Sequence, residues 1–312
     1  MKNLPKFAII STVKAPGNEL AMFVNYHLNI GIDEIILFFD DPDDPYISQF
    51  SADPNVTGIP CTSDYWEERG FARPGRIANR QMVNVNHGAT IARSKGCNWA
   101  IHIDSDELIY PNDPEYSSLK AYPDWSEADA IKFSLKEAIV ERCDYEHIFL
   151  PQLFKHQCGR LKIALARLLG CSRAIIDQNY FRGHLASKMA IKLNDKTTEI
   201  GIHGPSKHCP DLKTHLSKTL LLLHYDCIGF KNWSSKWGMR TKSIGEGHVM
   251  RKHRLEQFND FILSQKQGDE APRALYERLH VIPQREIIIL SLLGMTKQIV
   301  IHDSLFSSRN DA

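Results

Sequence analysis

Two short apolar, β-branched runs flank an amphipathic stretch within residues 7–39, and no other feature of the chain constrains its fold as much. The first run, Phe7–Val13, has strand length and almost no polar residue, the composition of a strand covered on both faces. Pro16, Gly17 and Asn18 then break the extended chain. A helix is expected over residues 19–30, with Leu20, Phe23, Val24 and Leu28 on one side and Gly31 as its stop. Ile35 to Phe39 is the second run. Strand, helix and strand in so short a span make a βαβ unit with parallel strands and a right-handed crossover. The fold class is therefore α/β, a mostly parallel sheet with helices on both faces.

Ligands of such sheets gather beyond the carboxyl ends of the strands. Thr12 and Lys14 follow the first strand there, where Lys14 would meet phosphate. Asp40 and Asp41 end the second, where a carboxylate accepts from a ribose hydroxyl or a base edge; equally, DPDDP is strong turn chemistry. No GxGxxG and no Walker loop occurs, which argues against dinucleotide and P-loop sites. A short third strand is expected at residues 56–59, an irregular loop at 64–80 and a helix at 76–95. In that helix Ala78, Met82, Val85, Ala89 and Ala92 form the apolar stripe, while Gln81, Asn84 and Gly88 lie on another side. A mid-helix glycine costs stability, so Gly88 points to close packing or to an approaching ligand.

The stretch NWAIHIDSDEL, residues 98–108, places a buried strand directly before Asp104, Asp106 and Glu107. Two carboxylates two residues apart can reach one point if the chain bends at Ser105. Their hard oxygens suit Mn²⁺ or Mg²⁺, which keep positions open for water and substrate phosphates. The plainer reading is an acidic turn capping a strand.

Further along, residues 130–135 read as a strand and 136–160 as an aperiodic segment that would meet an acceptor. Its carboxylates Glu137, Asp144 and Glu146 are the candidates for a general base. Residues 187–202 read as a hairpin turning at Asn194 and Asp195. The apolar strand 219–223 delivers His224, and His203 precedes a Gly-Pro loop; either imidazole could complete a cation site. From residue 232 the chain turns helical, with Leu255, Phe258 and Ile262 as one stripe, which divides it into residues 1–230 and a helical appendage, 231–312. A net charge of +1 gives no footprint for nucleic acid. Seven scattered cysteines without a CxxC pair read as reduced thiols, and no apolar stretch has bilayer length. A cytoplasmic protein is expected, with peripheral membrane contact open to it.

The order of these elements resembles the bacterial family-2-like nucleotide-sugar glycosyltransferases of the GT-A fold. The likeness runs through STVKAPGNEL, FVNYHLNIGIDEIILFFDD, the Gln81-bearing RQMVNVNHGATIARS, WAIHIDSDEL, the basic SKMAIKL with GIH, and LLLHYDCIGFKNW. It covers residues 7–237 and departs at the inserted APG and at Leu108, where an aromatic is commoner. The resemblance implies a GT-A (Rossmann-like) domain, Mn²⁺ or Mg²⁺, a nucleotide-sugar donor such as a UDP-sugar, and a carbohydrate or glycolipid acceptor in surface polysaccharide or lipopolysaccharide synthesis. It implies nucleotide contacts at Thr12, Lys14, Asp40, Asp41 and Gln81, with inversion as the expected course. HYDCIGFKNW is also locally similar to the ending of a retaining GT-A family, whose His binds metal and whose Lys binds a donor phosphate. That likeness assigns His224 as third ligand beside Asp104 and Asp106, with His203 as fallback, and Lys231 to the diphosphate. The alternatives are a retaining transferase, a binding protein of the same fold without turnover, and a phosphatase using Asp104 as nucleophile.

Overall fold

The computed structural model describes residues 4–113, 115, 118–126, 128–175, 180–183, 186–194, 199–206, 212–243 and 252–309. In chain order the elements are β1 (Phe7–Val13), α1 (Gly17–Asn29), β2 (Glu34–Phe39), α2 (Ile47–Ser51), β3 (Val56–Pro60), α3 (Ser63–Glu67), α4 (Ile77–Ser94), β4 (Trp99–His102), β5 (Glu107–Pro111) and β6 (Ala130–Ala138). They continue with β7 (Leu153–His156), α5 (Arg160–Leu168), β8 (Met189–Lys192), β9 (Ile200–Gly201), β10 (Gly204–Pro205) and β11 (Thr214–His224). The C-terminal part holds α6 (Phe230–Ser243), α7 (Lys252–Gln265), α8 (Glu270–His280), α9 (Gln284–Leu292) and β12 (Thr296–Gln298). Two compact units result, residues 1–135 with 186–223 and 302–312, and residues 136–185 with 224–301.

The first unit is built on four parallel strands in the order β3-β2-β1-β4, with Ile9 opposite both Ile35 and Ile101. Antiparallel strands extend it: β8 pairs with β4 (Ala100 opposite Ile191), and β6 pairs with β8 (Ile131 opposite Ala190). The fold class is α/β with a mixed central sheet whose first half is parallel. Side chains alternate across it as the pleat requires. Ala8, Ile10, Ile36, Phe38 and Ala100 pack against Val85, Ala89 and Ala92 of α4. Phe7 and Trp99, of the opposite parity, take Trp125, with ring centroids 4.6 and 5.0 Å away. Gly31, at φ +107, ends α1 as the sequence suggested.

The suspicion about Gly88 resolves as close packing. A Cβ there would sit 2.6 Å from Cγ2 of Ile10, so α4 lies directly on β1. Gly88→Ala should overpack this contact and cost about 1–3 kcal/mol, read as a lower midpoint in urea. A midpoint unchanged or raised would mean that α4 can lift off β1 without loss.

Several elements differ from the sequence expectation. Ala78 is exposed, and the buried side of α4 includes Asn84 and Arg80. Residues 63–67 form α3 rather than loop, because Tyr65 and Trp66 are buried and Thr62 caps the turn by accepting from the Tyr65 amide. Among the described residues the hairpin at 187–202 is not formed from its two halves: β8 pairs with β4 and β6, and β9 pairs with β10. Its expected turn, with Asp195, falls partly outside the described residues.

The second unit does not follow the division at residue 230. Its sheet is the end of β6 with β7 and β12, all antiparallel, with Glu137 opposite Lys155 and Lys155 opposite Thr296. Backbone bonds from Phe230 to Cys143 (2.8 Å) and from Ile282 to Val140 (2.9 Å) tie the C-terminal helices to residues 136–185. Trp233, Trp237, Phe261 and Tyr276 form its aromatic core. On α7 the buried pair is Phe258 and Phe261, while Leu255 faces solvent. Among the described residues, no helix is long and apolar enough to cross a membrane.

Candidate active site

In the first unit three consecutive parallel strands end on one cavity of about 380 Å³, lined by Lys14, Asp40, Asp41, Cys61, Trp66 and Arg73 among others. Lys14 follows β1, Asp40 and Asp41 follow β2, and Cys61 follows β3, the sheet edge where α/β folds take ligands. Asp40 is buried and already paired: Nε of Arg80 lies 2.6 Å from it and Nη2 of Arg73 lies 3.0 Å away. Arg80 also donates to the carbonyls of Pro74 and Gly75, at 2.7 Å each. Asp40 therefore orders the loop before α4 and holds Arg73 at the cavity, rather than standing open to a ribose hydroxyl. Lys14 and Asp41, 3.6 Å apart and half-exposed, supply the accessible charges. Thr12 is nearly buried and its hydroxyl accepts from Asn84, which itself accepts from the Tyr65 hydroxyl (3.0 and 2.7 Å). Burial, and then the charge of Asp40, push the Cys61 thiol up to about 12, so it stays protonated and is no nucleophile.

The acidic motif forms a tight turn between β4 and β5. The Asp104 amide donates to Oε2 of Glu107 (2.9 Å), and the Glu107 amide donates to the Asp104 carbonyl (3.0 Å). Gln81 reaches Asp104 from α4, its Nε2 donating to Oδ1 at 2.6 Å. On the other oxygen stands Lys188, fully buried, with Nζ 2.8 Å from Asp104 and 3.7 Å from Glu107. Burial acts to lower the Lys188 pKa, but Asp104, Glu107 and Asp106 outweigh it and raise the group above the usual lysine value. His102 beside it is neutral, lowered to about 3 by burial and by the Lys188 charge. Asp104 and Glu107 are thus compensated within the protein, and the half-buried Asp106 occupies the turn itself. His203 is exposed between β9 and β10.

In the second unit His224 ends β11 buried, and it offers a ligand atom within 4.8 Å of one from Asp226. Gly183 makes that room, since a Cβ would come 2.9 Å from the imidazole. Lys231 is exposed on the first turn of α6. Of the three expected bases, Glu137 is buried and accepts from the amides of Arg182 (2.9 Å) and Gly183 (2.7 Å) and from Lys155 (3.3 Å). Those bonds engage both of its oxygens within the unit. Asp144 is exposed and paired with Arg273 (3.1 Å), an ion pair that lowers its pKa. Glu146 is exposed and makes no ion pair among the described residues.

No family model matches the chain. It is similar to two Arabidopsis thaliana proteins, both named glycosyltransferase-like. One is 25% identical over 256 residues, 74% of this chain and 56% of that protein; the other is 24% identical over 262 residues, 74% and 49%. The chain thus spans about half the length of the curated relatives it matches. Two solved structures of 4-diphosphocytidyl-2C-methyl-D-erythritol synthase also match. One has TM-score 0.28 and 12% identity over 46% of this chain and 65% of that one. The other, from Anaerococcus prevotii, has 0.30 and 13% over 61% and 70%.

The donor set bears on the divalent cation that the motif suggests. Direct coordination by Asp104 would compete with Lys188 and Gln81 for both its oxygens. Asp106 in one unit, and the pair His224 and Asp226 in the other, have the oxygen and imidazole donors that Mn²⁺ accepts. The sequence reading missed Arg73, Arg80, Lys188 and Asp226. Of these only Lys188 carried a signal, as a lysine entering an apolar strand, where a buried partner is required.

Proposed function

We propose that the chain is a glycosyltransferase, moving a sugar from a nucleotide-diphosphate donor to a hydroxyl of a carbohydrate or glycolipid acceptor with a divalent cation. The observation that carries this reading is the cavity at the ends of β1, β2 and β3, with Lys14, Asp41 and Arg73 on it, in a sheet whose next strand ends in the acidic turn. The names of the plant relatives agree with it. In this proposal Lys14 and Arg73 meet the donor's negative charge, and Asp41 takes a ribose hydroxyl. Asp106 would ligate Mn²⁺ or Mg²⁺, which stabilises charge developing on the diphosphate leaving group. Asp104, locked by Lys188 and Gln81, fixes the turn that presents Asp106. An inverting transfer needs a carboxylate to take the acceptor proton, and Glu146 is the one of the three expected bases without a structural commitment.

The test is isothermal calorimetry and thermal shift with UDP, GDP, CDP and their sugars, each with and without Mn²⁺. One nucleotide diphosphate is expected to bind with metal and raise the melting temperature; at a hundredfold excess over Kd the stabilisation is about 2.7 kcal/mol. Asp106→Ala should abolish the metal-dependent part, with the melting temperature of the apo variant separating loss of metal from loss of fold. Binding of no nucleotide, or unchanged metal-dependent affinity in Asp106→Ala, would sink the proposal.

A further inference from the structure

We propose that α5 is an interfacial helix that rests the protein on an anionic membrane surface. This goes beyond the transferase reading and stands independently of the donor. In α5 only Ala166 is buried. Leu161 and Leu168 are 88% and 83% exposed, and Leu165 and Leu169 remain 44% and 43% exposed. At 3.6 residues per turn, Leu161, Leu165 and Leu168 fall on one narrow stripe, and Ala166 lies on the opposite side. The stripe that an ordinary surface helix turns to its core is here turned to solvent.

The charges around it select the partner. Arg160, Lys162 and Arg167 are exposed and lie between the leucine stripe and the buried side. The sequence has no Asp or Glu from His147 to Ile176. A leucine stripe edged only by cations fits acyl chains under anionic headgroups: the leucines enter the boundary and the long basic side chains rise to the phosphates. A second copy of this helix fits poorly, because its flanks would bring like charges together over a seam of little more than two turns. The helix has a fixed seat within its unit. Lys162 donates to the Gly294 carbonyl (3.4 Å), Cys171 donates to the Ala166 carbonyl (3.0 Å), and Gly170 at φ +91 ends the helix. One short helix binds weakly by itself, so attachment should require both the leucines and the lipid charge.

The experiment is co-sedimentation of the full chain with vesicles of phosphatidylcholine alone and of phosphatidylcholine with phosphatidylglycerol. Binding is expected only to the anionic vesicles and should weaken as salt rises. The triple variant Leu161→Ser, Leu165→Ser, Leu168→Ser should bind at least about tenfold more weakly, since each leucine loses its transfer into the boundary. Arg160→Glu with Arg167→Glu should abolish binding. These positions are exposed, so circular dichroism and melting temperature should match the parent, and nucleotide binding should be unchanged. No binding of the parent to anionic vesicles, or equal binding by the serine variant, overturns the proposal. So does a dimer that the serine variant splits without any vesicle binding by the parent.

Discussion

Lys188→Met is expected to destabilise the protein by about 3–5 kcal/mol, because it leaves the buried Glu107 beside the partly buried Asp104 with no cation between them. Lys188 and Glu107 are both fully buried, so solvent cannot take over the missing charge. Urea unfolding checks the size, and Lys188→Arg should recover only part of it, since a guanidinium does not fit a cavity made for an ammonium. The parent protein provides a second readout. A lysine whose folded pKa is raised contributes stability that is fully present below the ordinary value of 10.5 and lost as pH rises through the folded value. The Met variant should lack that alkaline decline. A loss under about 1 kcal/mol would mean that the turn reorganises and exposes its carboxylates.

The second large effect belongs to Glu137. Glu137→Ala removes the acceptor of the Arg182 and Gly183 amides and the counter-ion of Lys155, whose side chain is 2% exposed. About 3–5 kcal/mol should be lost. Glu137→Gln keeps an acceptor for both amides and should lose less. Lys155 has the opposite shift from Lys188: burial lowers it to about 8, one carboxylate being too little to offset the desolvation and the nearby Arg182 charge. Between about 8 and 10.5 the unfolded chain holds the extra proton, so this lysine makes stability rise with pH across that window. The pair of substitutions also separates structure from catalysis. Once a donor substrate is found, Glu137→Gln should turn over near the parent rate per folded molecule. A folded Glu137→Gln with turnover lost would make Glu137 the base after all.

The strands and the long helices were legible because their signals are local. Phe7–Val13 and residues 35–39 are apolar without interruption, and α4 repeats its small residues at helical spacing, so periodicity alone located them. β7 was not legible. It is four residues long, and its buried Lys155 reads as surface until Glu137 is seen opposite it. Gly88 was legible as an anomaly but not as a cause: only the packing on β1 showed that Ile10, not a ligand, occupies the missing Cβ. The hairpin at 187–202 misled because both halves have strand composition, whereas pairing depends on which edge is vacant, and for β8 that was β4.

By itself the sequence determined the βαβ start, the strand ends on which Lys14, Asp41 and Asp106 stand, and the turn chemistry that follows β4. These depend on residues a few positions apart, where period and turn propensity act. The tertiary structure alone decided which of those charged groups are already spoken for. Asp104 meets Lys188 across 84 residues and Asp40 meets Arg80 across 40, distances over which only strand register and helix placement choose a partner. It also decided that residues 136–185 join the C-terminal helices, because the backbone bonds of Phe230 and Ile282 end on a segment whose own sequence shows no period. A buried charge must find its counter-charge wherever the fold brings one, and local pattern has no means of naming it.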